Sequence, residues 1–212
     1  MTTNETSFFR DGNPFDLFRS TVLPFLIGRR AARKSIRVLC AAASSGQEPY
    51  SLAMLLREER ARLAGWRVEL VAVDIDESIL SKAREGVYSN FEVQRGVPHT
   101  FLNRYFESLG DARWRIKNEV RDMVTFRPFN LLDSMAGLGS FDVVFCRNVL
   151  IYFDEATKGG VLARLSQQMP EDGFLFLGGA ETVLGITDRF QPVPGRRGIY
   201  VRARPAERKL AA

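Results

Sequence analysis

The residues best suited to chemistry fall in short runs spread along the chain. The first is Ala41-Ala42-Ala43-Ser44-Ser45-Gly46-Gln47-Glu48-Pro49-Tyr50-Ser51. Its small side chains let the backbone approach a ligand closely, and Gly46 permits a tight turn into a following helix. No G-x-G-x-x-G occurs, so a dinucleotide pyrophosphate is not the obvious guest. Glu48 can face an ammonium group, or it can merely complement the dipole of the helix it opens. Asp74 ends an apolar run, where a carboxylate can accept both hydroxyls of a ribose. The neighbouring Asp76 is better placed to cap a helix. Asn130-Leu131 offers an amide beside an apolar contact, suited to an adenine ring, although an Asx turn explains Asn130 equally well. The longest run is Phe141-Asp142-Val143-Val144-Phe145-Cys146-Arg147-Asn148-Val149-Leu150-Ile151-Tyr152-Phe153.

In open α/β sheets, ligands bind beyond the carboxyl ends of the strands, so each of these runs must follow one. Apolar strands alternating with amphipathic helices supply that arrangement. Residues 15–27 have helical spacing, with Pro24 near the end. Residues 36–42 form a continuous apolar run, hence a buried central strand. A helix is expected over 48–63 with Leu52, Leu55 and Leu56 on one face. A strand follows over 68–73, then a helix from Asp76 through Arg84. Between 87 and 122 the pattern weakens; Trp114-Arg115-Ile116-Lys117 alternates like a strand, and the stretch reads as a small inserted β-subdomain. Strands return at 123–126, 141–146 and 174–177, with a helix over 155–168. Residues 190–193 and 198–201 pair as an antiparallel hairpin. The expected fold is α/β, with the class I (Rossmann-like) methyltransferase sheet favoured over a dehydrogenase fold by that closing hairpin.

Taken with Thr3-Asn4-Glu5-Thr6-Ser7-Phe8-Phe9-Arg10 and the Ser45–Ser51 loop, the 141–153 run resembles the CheR-type chemoreceptor glutamate O-methyltransferases. Matching residues run in order from Asn4 to Tyr200. The resemblance implies S-adenosyl-L-methionine as cofactor and S-adenosyl-L-homocysteine as product. It assigns Asn4, Thr6 and Arg10 to an amino-terminal arm (residues 1–12) folded over the cofactor, with Arg10 a natural partner for its carboxylate. Glu48 matches the acid near the methionyl moiety and Asp74 the ribose ligand. Asn130, Leu131, Arg147 and Asn148 match later cofactor contacts. Tyr152 matches a tyrosine close to the transferred methyl, against the alternative of a core tyrosine packed under the sheet. No metal is implied. The implied partners are the cytoplasmic helices of chemoreceptors.

The chemistry is consistent with a site lacking histidine. A free glutamate has a pKa of about 4.3, so the nucleophile is already ionised at neutral pH. Transfer needs approach geometry and exclusion of water, not a general base. Gln47 and Ser45 depart from the residues common in the family at those places, and Ala180-Glu181 replaces a frequent serine-glutamate pair. The family also carries a helical domain ahead of the Thr-Asn motif, absent from this chain, so a domain excised from a longer protein is expected. Residues 1–208 read as one methyltransferase domain with the insertion at about 87–122, and 209–212 as a vector-derived scar. In some members the insertion captures a receptor-tail pentapeptide as an added strand. Here the loop Glu107-Ser108-Leu109-Gly110-Asp111-Ala112-Arg113 is short with one glycine, so no pentapeptide tether is expected. Rival readings are a nucleic-acid methyltransferase and a non-catalytic S-adenosylmethionine-binding signalling module.

Composition agrees with a globular enzyme: 45% hydrophobic and 26% charged residues are ordinary. No secretory signal or membrane-length apolar run occurs, so a cytoplasmic protein without membrane insertion is expected. Cys40 and Cys146 lie in buried-strand runs and read as core residues rather than a disulfide. The net charge of +5 suits an acidic protein surface, or is simply solvated. Aromatic residues are not interleaved with a basic stripe, so nucleic acid is not the expected partner. The single histidine, His99, reads as a surface or loop residue.

Overall fold

The computed structural model describes residues 6–203. From the amino end run α1 (Asn13–Leu17), a π-helical turn (Phe18–Val22), α2 (Leu23–Arg29), β1 (Ser35–Ala41), α3 (Gln47–Glu58), β2 (Arg67–Asp74) and α4 (Glu77–Glu85). Next come β3 (Val87–Ser89), α5 (Asn90–Gln94), α6 (His99–Tyr105), β4 (Phe106–Gly110), β5 (Arg113–Ile116) and α7 (Asn118–Arg121). The remainder is β6 (Val124–Pro128), β7 (Val143–Cys146), α8 (Glu155–Gln167), β8 (Phe174–Leu177), β9 (Phe190–Pro192) and β10 (Ile199–Arg202).

The central sheet has the order β6-β2-β1-β7-β8-β10-β9. Strands β6, β2, β1, β7 and β8 are parallel neighbours. The chain returns as the expected closing hairpin, placing β10 antiparallel between β8 and β9. Because side chains alternate across a strand, successive residues feed two separate cores. Val38 and Cys40, Leu70 and Ala72, and Val143 and Phe145 face α1–α3. Leu39 and Ala41, Val71 and Val73, and Val144 and Cys146 face α8 and the segment before β7. Burial on both faces explains why the strands read as unbroken apolar runs. Both cysteines are free and buried. Each fully buried large side chain contributes about 1.5–3 kcal/mol of transfer free energy; the stacked Phe145 and Phe176 rings, 4.3 Å apart, sit at the centre.

Three elements differ from the sequence reading. The first helical segment spans 13–29, not 15–27, and Pro24 lies inside it rather than near its end. A proline ring collides with the carbonyl four residues back, and the wider π turn at Phe18–Val22 accommodates it. Helix α3 stops at Glu58 instead of 63. Beyond it the backbone turns on Glu59, whose carbonyl accepts from Arg62 and Leu63, so Leu63 still reaches the core. The stretch after α4 is not purely β: it forms an antiparallel sheet, order β3-β5-β4, with short helices around it. Asp76 caps α4 by accepting from Ser78 and Ile79 N–H, as its position predicts.

At the opposite end from the candidate site, the buried Asp142 ties α2 to the sheet. Its carboxylate accepts from Arg30 Nε (2.8 Å) and from the Arg37 backbone N–H (3.0 Å). Arg30 also donates to Asp172 (2.7 Å).

Candidate active site

The strand order reverses at β1 and β7: β2 and β6 are laid down to one side, β8 to the other. A crevice must open there beyond the carboxyl ends. It is a cavity of about 310 Å³, within the range that holds a small molecule. Apart from the amino-terminal segment, each wall comes from the loop that follows one strand.

The floor is the loop after β1. Ala42 (φ 68°), Ser44 (φ 49°) and Gly46 (φ 96°) all lie in the left-handed region. For the two non-glycine residues this is strain of about 1–3 kcal/mol each, held by the surrounding contacts. Those contacts are specific. Ala43 N–H donates to the Val73 carbonyl and Ser44 N–H to Asp74 Oδ2 (2.8 Å). Tyr88 Oη, from β3, donates to the Ser45 carbonyl (2.7 Å). A Cβ on Gly46 would meet Tyr50, Ala83 and Tyr88 at 3.0–3.1 Å, so glycine is required there on two counts.

Asp74 stands at the end of β2 and lines the cavity. Its Oδ1 accepts from Asp76 N–H (3.1 Å) and its Oδ2 from Ser44 N–H, which leaves each oxygen a further acceptor site. After β6, Asn130 Oδ1 accepts from Leu132 N–H (3.0 Å), so Asn130 does form an Asx turn while facing the cavity, with Leu131 beside it. Exposed Ile75 and Leu132 lie at the same wall.

Arg147, directly after β7, is the hub. Its side chain is 1% exposed. Nη1 donates to Glu48 Oε2 (2.9 Å); Nη2 donates to Asp11 Oδ2 (2.6 Å) and to the Arg10 carbonyl (3.1 Å). Glu48 therefore already has a cationic partner from the protein. Burial pushes its carboxyl up from the ordinary range, and the Arg147 charge pulls it back. The segment carrying Thr6 and Arg10 crosses the cavity, and both residues line it. Phe8, 1% exposed, anchors this segment edge-on to Tyr88 (4.9 Å) and Phe106 (5.6 Å). Phe9 N–H donates to Ser51 Oγ (2.9 Å). Asn4 lies outside the described residues.

Asn148 (φ 58°) begins a turn that ends in a short 3-10 helix, Leu150–Tyr152. Tyr152 is 52% exposed and lines the cavity, so it is not a core residue packed under the sheet. Thus Thr6, Arg10, Glu48, Asp74, Asn130, Leu131, Arg147, Asn148 and Tyr152 all meet at one cavity. His99 is exposed at the start of α6. Sequence reasoning gave no role to Asp11 or Glu181. Asp11 follows the arm's motif, a signal that was present; Glu181 accepts from Gly178 N–H three residues back, but its other partners, Asn148, Val149 and Leu150, lie 31 to 33 residues away.

Residues 4–199 match the family described as CheR methyltransferase, SAM binding domain. The chain belongs to the CheR methyltransferase family. It is 42% identical over 207 residues to the chemotaxis protein methyltransferase Cher2 of Pseudomonas putida, covering 96% of this chain and 75% of that protein. It is 44% identical to chemotaxis protein methyltransferase 1 of Pseudomonas aeruginosa, with the same coverage. A chemotaxis protein methyltransferase of Vibrio parahaemolyticus is 43% identical over 94% of this chain and 72% of its own length. The fold is accordingly the class I methyltransferase fold, the cofactor S-adenosylmethionine, and the activity methyl transfer.

The CheR cavity suits that cofactor on its own evidence. Two of its lining residues keep buried polar atoms, Ser44 Oγ and Arg147 Nε, without a partner among the described residues. Buried polar atoms of this kind are normally satisfied, which a polar ligand at this cavity would do. The lining is also chemically suited to it, with the carboxylates of Glu48 and Asp74 and the guanidinium groups of Arg10 and Arg147. No helix among the described residues of this CheR chain is long and apolar enough to cross a membrane.

Proposed function

We propose that this chain transfers the methyl group of S-adenosylmethionine to glutamate side chains of chemoreceptors. What carries the reading is the convergence at one cavity of every described residue that the CheR resemblance singled out, with Tyr152 half-exposed among them. When bound, S-adenosylmethionine supplies a methyl group on a sulfonium, already activated for displacement.

The residues of the chain have the following roles in this reading. Asp74 holds the ribose hydroxyls with its remaining acceptor sites. Asn130 and Leu131 take the adenine, one by hydrogen bonding and one by contact. The Arg10 guanidinium takes the cofactor carboxylate by a charge-assisted bond, while Arg147 fixes the Arg10 backbone by its carbonyl. Thr6 and Asn148 complete the wall, and Asn4 belongs to the same arm by its motif. Glu48, buried against Arg147, favours the cofactor's ammonium end. Tyr152 orients the acceptor carboxylate. It need not remove a proton, because glutamate is ionised at neutral pH. The arm excludes water, which would otherwise solvate that carboxylate.

The β4–β5 connection supports the reading that no pentapeptide tether is used. Only Asp111 and Ala112 join the strands, both left-handed (φ 48° and 54°), a tight turn with no length to enclose a peptide's anchors. The insertion at about 87–122 is then a local support for the arm within one methyltransferase domain.

The decisive experiment incubates the protein with methyl-labelled cofactor and a cytoplasmic chemoreceptor fragment, then raises the pH. A glutamyl methyl ester is base-labile and releases labelled methanol. Label that survives alkali, or label accepted by RNA instead, would sink the proposal.

A further inference from the structure

The loop that presents Tyr152 to the cavity has no side-chain cap of its own. Its first N–H groups are instead collected by one remote carboxylate. Glu181 Oε1 accepts from Val149 N–H (2.9 Å) and Leu150 N–H (2.8 Å). Its Oε2 accepts from Asn148 N–H (2.8 Å) and Gly178 N–H (2.7 Å). Glu181 is itself buried, at 8% exposure. A charged acceptor makes the stronger class of hydrogen bond.

The geometry around the carboxylate is tight. A Cβ on Gly178 would lie 2.7 Å from Glu181 Oε2 and 2.8 Å from Asn148 Nδ2, so only glycine lets the carboxylate sit against the turn. Asn148 is held left-handed at φ 58°, a conformation uncommon outside glycine. Holding residues 148–150 fixes the start of the 3-10 turn, and the turn's last residue is Tyr152. Tyr152 itself is half-exposed.

We infer that Glu181 is a positioning residue: it organises the Asn148–Leu150 turn and thereby sets where the Tyr152 ring stands over the cavity. Glu181 does not line the cavity, so it acts through the turn and not on the ligand. The inference rests on the reading of Tyr152 given above, and its test separates the two.

The full chain is labelled with 3-fluorotyrosine, which gives one ¹⁹F resonance for each of its five tyrosines. Tyr152→Phe assigns the Tyr152 line. In Glu181→Gln one oxygen becomes an amide donor that cannot accept, so the turn loosens. The Tyr152 line should then move toward the position of free 3-fluorotyrosine while those of Tyr50, Tyr88, Tyr105 and Tyr200 stay. Gly178→Ala, which keeps Glu181 but displaces its carboxylate, should do the same. An unmoved Tyr152 line in both variants, or general movement of all the lines, overturns the inference. This readout needs no acceptor, so it stands even if the chemoreceptor reading fails.

With a chemoreceptor fragment as acceptor, Glu181→Gln should lower kcat by about 10- to 100-fold, the order expected for a misplaced group. KM for the cofactor should rise less than kcat falls, because Asn148 is one of many residues lining the cavity. In a Tyr152→Phe background the Glu181→Gln loss should largely disappear, since coupled residues are non-additive. Full additivity would overturn the coupling. A fully active Tyr152→Phe would instead overturn the role given to Tyr152, leaving the resonance result to judge Glu181.

Discussion

Arg147 shows how much a single buried side chain can organise. Its guanidinium meets Glu48 from the helix after β1, and Asp11 and the Arg10 carbonyl from the arm. A planar cation with several fixed donors suits such a junction; lysine would not replace it. Asp74 is nearly as economical, because it braces Ser44 and Asp76 and still has acceptor sites for a ligand. Asp74→Ala should therefore do two things. The unliganded protein should lose about 1–3 kcal/mol from the freed N–H groups. The stabilisation by S-adenosylhomocysteine, about 2.7 kcal/mol at a hundredfold excess over Kd, should largely vanish. Differential scanning fluorimetry with and without ligand measures both, and a full ligand shift in the variant would refute the ribose assignment. How far such residues could be read from the sequence varies. Asp74 and Asp76 were distinguishable because a strand end and a helix cap have local signatures. The pairing of Glu48 with Arg147 was not, since 99 residues separate them.

Among the elements, the arm depends most on the others. It is seated by Phe8 against Tyr88 and Phe106, both from the insertion, and its backbone passes close to Gly96. A Cβ on Gly96 would lie 1.9 Å from the Phe8 carbonyl oxygen, which is backbone and cannot swing aside. Gly96→Ala should lift the arm and weaken S-adenosylhomocysteine binding by about tenfold or more, equivalent to about 1.4 kcal/mol. The central sheet should remain folded. Calorimetry together with far-UV circular dichroism would check this; undiminished affinity would mean that the arm does not cover the ligand. The insertion makes a second prediction. Given the two-residue β4–β5 turn, an aromatic receptor-tail pentapeptide should show no micromolar binding in a calorimetric titration. Heat of binding in that range would show that the open edge of β4 suffices. The sequence disclosed that 87–122 departs from the α/β alternation. It did not disclose that this stretch holds the arm, because aromatic contacts across 80 residues leave no periodic trace.

For the molecule as a whole, ion pairs at the end remote from the cavity link stability to pH. Hydrogen bonding to Arg30, chiefly, holds the Asp172 carboxyl below its usual range. A depressed folded-state pKa means stability that is fully present above the unfolded value of about 3.9 and lost as the pH falls through the lowered one. Asp172→Asn should cost about 2 kcal/mol at neutral pH. It should also flatten the decline in Tm on acidification below about pH 4. If the variant and the parent lose Tm in parallel there, Asp172 does not carry the linkage. The net charge of +5 acts at the same scale: association with an acidic receptor surface should weaken as salt rises.

What the sequence by itself determined is what local physics can encode. Unbroken apolar runs specified strands buried on both faces, and Asp76 and Gly46 specified a helix cap and a turn. Three motifs in order specified the family and, through it, the residues gathered at the cavity. Tertiary structure alone decided how those residues are held. The Ser45 carbonyl is met by Tyr88, 43 residues away, and the turn before Tyr152 by Glu181. Such contacts depend on which strand ends the sheet order brings together. A one-dimensional pattern of hydrophobicity and charge carries the strands but not their adjacency, so the partners appear only when the chain has folded.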